Sequence, residues 1–527
     1  MSGRSRPCDE AVIASTEMGD PCGQRVKHFV LAATIIGSGM AFIDSAAVNV
    51  ALPIIGTDLG VSLPVMQWVV NGYMLVSAAL TLIGGAAGDR FGRRRVFLVG
   101  IVVFTVASCA CGLATGAIAL IVARIVQGAG GALMVPNSLA IIGAAFGENE
   151  KGKAIGTWAG ASSIASALGP VLGGWLTDTV SWRAIFFINV PFAVLAALIA
   201  WARLPESRDP QAAPRLDWAG AALAACGLAA LAFAFIEAGA RGWNDFSVVV
   251  AAGAGVLVLA LFLLVEASGS APMVPLGLFR SSRFSGINLL TLLLYGALGG
   301  AFFLLPFDLI RVQSYKAAEA GAAFLPFPVI MFSLSRWSGG LLDRFGARLP
   351  LVVGPLVTAV GLGLFAFGGA RGSYWTSVFP PMAITALGMT VCVAPLTAAV
   401  MNAVPGRQVG IASGVNNAVA DIASLLAVAV FGAVGLAVFA RVFDSETAMI
   451  AVGPELSETI ETIKRSLAGA ELPADLAAQT RAQLTSSIAI SFTASFRVLM
   501  LAAAGLAALS AAVAALTIPR GAVANAR

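Results

Sequence analysis

Gly85-Ala-Ala-Gly88-Asp89-Arg90-Phe91-Gly92-Arg93-Arg94-Arg95 places one acidic and four basic residues between two long apolar runs. A bilayer core about 30 Å thick requires roughly 20 apolar residues to span it as a helix. The runs 64–87 and 96–114 both reach this length. The stretch is therefore predicted to be a short basic turn between two transmembrane helices.

The composition extends this prediction to the whole chain. Hydrophobic residues make up 58% of the sequence and charged residues only 11%, whereas soluble proteins carry about 25% charged residues. The apolar runs are continuous rather than alternating, which indicates transmembrane helices rather than a barrel. The six Cys residues show no metal-site or disulfide spacing, so we expect no metal and no cofactor.

Fourteen apolar runs are long enough to be transmembrane spans. The predicted ranges are 28–53, 64–87, 96–115, 117–145, 154–178, 184–203, 217–238, 246–266, 284–308, 319–341, 349–368, 375–401, 411–440 and 490–518. Basic residues concentrate in the loops after the even-numbered spans, while the other short loops contain only Arg183, Arg241, Arg311, Lys316 and Arg371. By the positive-inside rule, both termini are expected on the cytoplasmic side of the cell (inner) membrane.

The segments outside the spans have separate predictions. Residues 1–27 lack the charged-then-apolar order of a cleavable signal peptide, so they are expected to be a cytoplasmic tail, as are residues 519–527. Residues 441–489 are predicted to be one long outer loop. The loop is expected to contain a surface helix, because of the spacing of Leu456, Ile460, Ile463 and Leu467.

A faint internal repeat divides the chain. Gly340-Leu-Leu-Asp343-Arg344-Phe345-Gly346-Ala-Arg348 resembles the opening stretch and follows span 10 as that stretch follows span 2. The predicted fold is an all-α integral membrane protein with two six-helix halves, at 28–203 and 284–518. Residues 204–283 are the linker and two inserted helices. Such repeats are typical of secondary transporters, whose substrate site lies between the halves near the midplane.

The motifs together resemble one family. The opening stretch is similar to the loop 2–3 signature of the major facilitator superfamily, in its fourteen-span drug:proton antiporter branch. Further stretches resemble that branch over essentially residues 28–518: Phe42-Ile-Asp44-Ser-Ala-Ala-Val-Asn49-Val-Ala-Leu-Pro53 in span 1, Arg124-Ile-Val-Gln127-Gly128-Ala-Gly130-Gly131-Ala132 in span 4, Gly169-Pro170-Val-Leu-Gly173-Gly174 in span 5 and Trp182-Arg183-Ala-Ile-Phe-Phe-Ile-Asn189-Val-Pro191 before span 6. The resemblance implies a monomeric multidrug efflux protein that exchanges small amphipathic molecules for protons.

Asp44 and Arg124 are the candidates for proton coupling. Counted from the predicted span ends, both lie roughly 9 Å below the outer surface, and charges at membrane depth require a partner or a cavity. Their equal depth predicts that they pair. Asp44 would take up a proton from outside and release it inward, with Arg124 tuning that step. The alternative is a static pair that only joins two helices.

The opening stretch is the candidate for a conformational latch, formed by Gly85, Asp89, Arg90, Gly92, Arg93 and Arg94. The resemblance implies that Asp89 docks at the start of span 13, near residues 410–413, and locks one arrangement of the two halves. The alternative is that the Arg residues only determine topology. Gly85 is expected to allow close helix approach and Gly92 a tight turn.

Gly169, Pro170, Gly173 and Gly174 form the antiporter motif of span 5. Together with Ala161 and Ala165, the residues at every fourth position form a small-residue stripe, which is expected to pack closely against the other half. Pro170 loosens the backbone there. Close packing and a pivot for antiport are compatible interpretations.

Asp421 is the candidate for binding a cationic substrate, because it is an acid in mid-span. A second proton site and a hydrogen bond between helices are alternatives. The other candidates for an amphipathic pocket, each also compatible with simple packing, are Phe42, Gln67, Trp68, Tyr73, Trp158 and Asn189. Asp308 and Arg311 depart from the family pattern and are predicted to form a surface ion pair, with a shifted substrate range as the alternative.

Other functional classes lack support. Residues 147–154 resemble a phosphate-binding loop, but Ala154 replaces the Ser or Thr that Mg²⁺ requires, so ATP binding is not expected. The net charge of +5 follows from the basic loops and implies no nucleic-acid partner. No nucleophile–base pair indicates an enzyme. The expected partners are substrate, protons and membrane lipid. A narrow metabolite exporter is the alternative, followed by a polytopic sensor or membrane enzyme.

Overall fold

A computed structural model describes residues 23–209, 216–269, 272–368, 373–404, 409–448, 459–464, 467 and 478–519. Within these ranges the chain forms helices and no strands. The helices are α1 (Gln24–Asp58), α2 (Leu63–Phe91), α3 (Arg93–Gly112), α4 (Ala117–Ala145), α5 (Glu148–Thr179), α6 (Ala184–Phe187), α7 (Asn189–Arg203), α8 (Trp218–Arg241), α9 (Phe246–Ser268), α10 (Ser282–Phe307), α11 (Ala317–Ala323), α12 (Pro326–Phe345), α13 (Arg348–Phe365), α14 (Tyr374–Ser377), α15 (Phe379–Met401), α16 (Val409–Thr447) and α17 (Ala478–Thr517). The all-α prediction is confirmed.

Thirteen helical segments of the described chain are long and apolar enough to cross a membrane. The remaining predicted span, 154–178, corresponds to α5, which has 32 residues and is rich in Gly, Ala and Ser. The Gly and Ser residues lower its mean hydropathy without shortening it. The chain is therefore a multi-pass helical membrane protein.

Some predicted boundaries differ from the structure. Span 10 is divided into α11 and α12, because Pro326 begins the second helix and lacks the N–H that a continuous helix would use. The predicted loop 441–489 is shorter, since α16 continues to Thr447 and α17 begins at Ala478. Within it, residues 459–464 are helical, and Ile463 is fully buried in the core. Leu456 lies outside the described residues.

The first inserted helix, α8, lies where the two halves meet. α8 packs on its partner α9, and also on α2 of the first half and α16 of the second. Leu75, Leu228 and Leu425 from these three helices form one buried cluster. The insertion therefore covers one side of the interface between the halves.

Glycine permits the close contact of α2 and α4. A Cβ atom at Gly84 would lie 2.1 Å from the Ala132 carbonyl oxygen, and one at Gly88 would lie 1.6 Å from Asn137 Oδ1. At Gly85 the nearest atom would be Pro136 Cβ at 3.8 Å, an ordinary contact distance. The close approach predicted for Gly85 is therefore made by its neighbours Gly84 and Gly88.

We expect Gly84→Ala to destabilise the protein and Gly85→Ala to leave its stability unchanged. The first substitution pushes a methyl group into backbone, which typically costs about 1–3 kcal/mol, whereas the second fits the existing space. Thermal unfolding in detergent micelles measures the difference. Equal unfolding midpoints for the two variants would contradict the packing described for α2 and α4.

Candidate functional site

Asp44 and Arg124 form an ion pair inside the first half. Arg124 Nη1 lies 2.5 Å from Asp44 Oδ2, and the two residues are 0% and 1% exposed. The other carboxylate oxygen, Oδ1, accepts hydrogen bonds from Gln127 Nε2 at 2.9 Å and Asn189 Nδ2 at 3.0 Å. The predicted pair is thus present, and it is the centre of a larger polar network.

The Arg124 guanidinium is held on several sides. It donates to Gln127 Oε1 at 2.7 Å and to the Val69 carbonyl oxygen at 3.2 Å, and it lies 4.4 Å from the Tyr73 ring centroid. Burying two charges carries a large desolvation penalty unless further polar groups satisfy them. The amides and the aromatic ring supply that compensation, so the arrangement holds both charges away from water.

Sequence reasoning did not assign Gln127 or Ser108 to this network. Ser108 Oγ accepts from Asn189 Nδ2 at 2.9 Å and donates to the Phe186 carbonyl oxygen at 2.8 Å. The spacing in the sequence could have indicated Gln127, because Gln127 is three residues after Arg124 and therefore on the same helix face. Ser108 lies on α3, whose neighbours in space cannot be read from spacing.

Asp44 lies further from the end of its helix than the sequence predicted. α1 ends at Asp58, beyond the predicted end at residue 53, so about 21 Å of helix separates Asp44 from that end at 1.5 Å per residue. Arg124 is only about 10 Å from the start of α4 by the same measure. The two side chains meet because α1 extends further than α4 at this end.

The latch residues contact the first half and the start of the linker. Asp89 pairs with Arg93 at 2.7 Å, and Arg94 donates to the Leu204 carbonyl oxygen at 2.9 Å. Gly92 has φ +110°, which confirms the predicted tight turn. The guanidinium of Arg90 lies over the Phe91 ring. Docking of Asp89 near residues 410–413 is therefore not the contact that it makes in this structure.

The two halves are joined at the opposite end of the bundle, by contacts that we call the distal seam. Gln67 on α2 donates to the Val428 carbonyl oxygen of α16 at 2.5 Å. Arg311 donates to the Pro53 carbonyl oxygen of α1 at 2.5 Å. Asp178 Oδ2 accepts from the Ala318 N–H at 2.8 Å. Each of these bonds connects one half to the other.

The contacts at the distal seam contradict the predictions made for Gln67, Asp308 and Arg311. Gln67 is fully buried and bonds α16 rather than lining an open pocket. Asp308 accepts from Gln313 Nε2 at 2.6 Å, while Arg311 bonds Pro53, so each has a partner other than the one predicted. Asp308 is also 7% exposed, which contradicts its placement at the surface.

The antiporter motif is divided between two packing partners. A Cβ atom at Gly173 would lie 2.7 Å from Ala47 Cα of α1, in the same half. At Gly174 it would lie 2.1 Å from the Ala317 carbonyl oxygen, and at Gly321 it would lie 2.0 Å from that of Pro170. Gly169 packs on α1 in the same way as Gly173. The predicted contact with the other half is therefore made at Pro170 and Gly174, not along the whole stripe.

Three of the remaining pocket candidates, Phe42, Tyr73 and Trp158, belong to one hydrophobic cluster of the first half. Phe42 and Trp158 pack edge to face with ring centroids 6.2 Å apart, within the core of the first half. Tyr73 lies on Arg124, and Trp68 is half-buried on α2. Packing explains Phe42 and Trp158 without a ligand.

Asp421 is half-buried on α16. Among the described residues, no hydrogen bond or ion pair of its carboxylate is found. Its charge is close enough to interact electrostatically with Tyr73 of α2 and Tyr295 of α10. Tyr73 of the first half therefore interacts electrostatically both with this acid of the second half and with the Asp44–Arg124 pair.

Comparison with known proteins finds a matching family model and several similar proteins. Residues 34–428 match the family model described as Major Facilitator Superfamily. The tetracenomycin C resistance and export protein of Streptomyces glaucescens is 34% identical over 436 residues, which cover 82% of this chain and 80% of that protein. The multidrug resistance protein Stp of Mycobacterium tuberculosis is 35% identical over 411 residues, covering 78% and 76% respectively.

Solved structures of other transporters have the same fold. A bacterial homolog to the human lysosomal transporter Spinster, in its inward-facing and unoccupied conformation, superimposes with a TM-score of 0.65. It is 18% identical and covers 93% of this chain and 98% of its own. At this identity the likeness concerns the arrangement of helices alone.

Proposed function

The chain belongs to the Major Facilitator Superfamily, and from that membership we propose that it exports small amphipathic, drug-like molecules in exchange for protons by alternating access. It is a multi-pass membrane transporter and not an enzyme. The substrate class is supported by the names of the relatives, one a tetracenomycin C resistance and export protein and another a multidrug resistance protein.

The observation that carries the proton coupling is the buried Asp44–Arg124 pair. Asp44 is the one carboxylate within bonding distance of Arg124 in the described chain, so its protonation removes the counter-charge of a buried guanidinium. The network must then rearrange, because an uncompensated buried charge is strongly unfavourable. A proton arriving at Asp44 is therefore converted into a change in helix contacts.

The proposed topology determines which end of the protein faces the outside of the cell and which faces the cytoplasm. With the basic loops on the cytoplasmic side, the distal seam faces outward and is closed, while the Asp89 end faces inward. Asp44 is paired with Arg124 in this arrangement, as the proposal expects after its proton has left toward the cytoplasm. Each proton that moves inward gains about 2.3 kcal/mol per 100 mV of membrane potential, which can drive export.

Everted membrane vesicles test this function. We expect several cationic and neutral dyes to accumulate when a pH gradient is imposed, and the accumulation to collapse when a protonophore removes the gradient. Flux that is independent of the gradient for every dye would reject proton antiport. Accumulation of a single compound among many would instead favour the second candidate, a narrow metabolite exporter, which the name of the tetracenomycin C relative also supports.

Asp421→Asn is expected to weaken transport of cationic dyes at least about tenfold and to spare neutral ones. A carboxylate at 4 Å from a cation contributes several kcal/mol at intermediate dielectric, and a tenfold loss corresponds to about 1.4 kcal/mol. Concentration dependence of dye uptake into vesicles measures the effect. Glu237→Gln, on α8 and paired with Arg241 at 2.7 Å, is the matched control; equal losses for cationic and neutral dyes would exclude a binding role for Asp421.

A further inference from the structure

Asp178 connects the end of α5 to the other half of the protein. Its two carboxylate oxygens accept hydrogen bonds from the backbone N–H groups of Ala317 at 3.2 Å and Ala318 at 2.8 Å. These are the first two residues of α11, whose N–H groups have no partner within the helix. A carboxylate from the first half thus caps a helix of the second half.

The packing beside Asp178 also requires close contact between α5 and α11. Gly174 faces the Ala317 carbonyl oxygen, and Gly321 faces the Pro170 carbonyl oxygen, at distances that leave no room for a side chain. The two contacts are reciprocal, since each helix supplies one glycine and one carbonyl group four residues apart. Asp178 can therefore bond Ala317 and Ala318 only while α5 and α11 remain in contact.

Asp89 provides a comparison at the other end of the first half. Its carboxylate bonds Arg93 in its own half, whereas the Asp178 carboxylate bonds the opposite half. The first half thus has Asp89 at one end and Asp178 at the other. Of these two acids, Asp178 is the one that bonds the second half in this structure.

We propose that Asp178 is a positioning residue for transport, which holds the distal seam closed by capping α11 and must release it before that end opens. The inference rests on the proposed alternating-access function. It assigns a role to a residue outside the antiporter motif. The energy involved is that of a helix cap rather than of a buried ion pair, because Asp178 is solvent-exposed.

Distances between spin labels at both ends of the bundle test the proposal. Labels replace Leu113 and Trp375 at the distal end, and Trp201 and Leu516 at the Asp89 end, all of which are more than half exposed. The background has its six native cysteines replaced by alanine and must retain export. We expect Asp178→Ala to raise the ratio of long to short Leu113–Trp375 distances about tenfold and to shorten the Trp201–Leu516 distance.

Asp58→Ala is the matched control. Asp58 also lies at the distal end, but its carboxylate accepts from Trp182 Nε1 at 2.8 Å in the same half, so its loss should leave both distances unchanged. Distance distributions of Asp178→Ala that coincide with those of Asp58→Ala would overturn the proposal. If Asp178→Ala fails to fold, Gly174→Ala breaks the same contact and should give the same opening.

The two proposals fail separately. A wild-type protein that shows no proton-driven accumulation, yet whose distal distances lengthen in Asp178→Ala, would reject the proposed antiport and retain the role of Asp178 in closing the seam. Normal export with unchanged distances would reject the role of Asp178 and retain antiport.

Discussion

Asp44→Asn is expected to abolish proton-driven accumulation of every substrate. Asparagine has nearly the same shape as aspartate and can still accept from Gln127 or Asn189, but it cannot exchange a proton or neutralise Arg124. With a pH difference of one unit, one coupled proton sustains a substrate gradient of up to about tenfold. In proteoliposomes with an imposed pH gradient, we expect that ratio to fall to one for the variant.

Ser38→Ala separates this effect from a general disturbance of α1. Ser38 is also fully buried on α1. It donates to Ser138 Oγ at 2.7 Å and accepts from Trp158 Nε1 at 3.3 Å, so the substitution removes two buried polar contacts outside the Asp44 network. Its accumulation ratio should remain close to that of the wild type. Undiminished accumulation by Asp44→Asn would place the coupling acid elsewhere and reduce the Asp44–Arg124 pair to a structural contact.

The features that were predicted correctly from the sequence are mainly those that depend on a single helix or turn. Apolar length located the spans, and the φ of Gly92 follows from a turn that must reverse the chain within one residue. The Asp44–Arg124 pair was also predicted, although the two residues lie at unequal distances from the ends of α1 and α4. The prediction succeeded because a buried charge in an apolar bundle has few possible partners, and Arg124 is the basic residue at membrane depth in the first half.

The predictions that failed depend on which helices are neighbours. Spacing placed Gly169 and Gly173 on one face of α5, but it could not show that this face packs on α1 rather than on the second half. Gln67 was predicted to line a pocket, and its actual acceptor, the Val428 carbonyl oxygen, is a backbone atom more than 350 residues away in sequence. Backbone acceptors carry no sequence signal, so such bonds are invisible before the fold is known.

The contact of Asp89 illustrates a different limit. A carrier that alternates between two arrangements has two sets of contacts, and a motif encodes both. The resemblance implied the docked arrangement, whereas the structure has Asp89 on Arg93 and the distal seam closed through Gln67 and Arg311. The docking of Asp89 therefore remains a prediction for the arrangement in which the distal seam is open.

Arg124→Leu is expected to lower the free energy of unfolding by about 3–5 kcal/mol. The substitution leaves the Asp44 carboxylate in a site that is 0% exposed with only Gln127 and Asn189 as donors, and breaking a buried ion pair by removing one partner is strongly destabilising. Equilibrium unfolding in mixed detergent micelles measures the change. Arg183→Leu is the control, because Arg183 bonds the backbone oxygens of Gly112 and Ala114 and its removal leaves no buried charge behind.

The double variant Asp44→Asn with Arg124→Leu distinguishes stability from function. Removing both charges of a buried pair is often close to neutral, so the double variant should recover most of the stability that Arg124→Leu loses. Export should be absent in both variants, since Arg124→Leu lacks the guanidinium that responds to protonation of Asp44 and the double variant also lacks the proton-accepting carboxylate. A double variant as unstable as Arg124→Leu would show that the guanidinium matters for its packing on Tyr73 and Val69 rather than for its charge. If export returned with stability, the pair would be a scaffold, and the proton would have to be carried by another acid, for which Asp421 is the candidate because it interacts electrostatically with Tyr73.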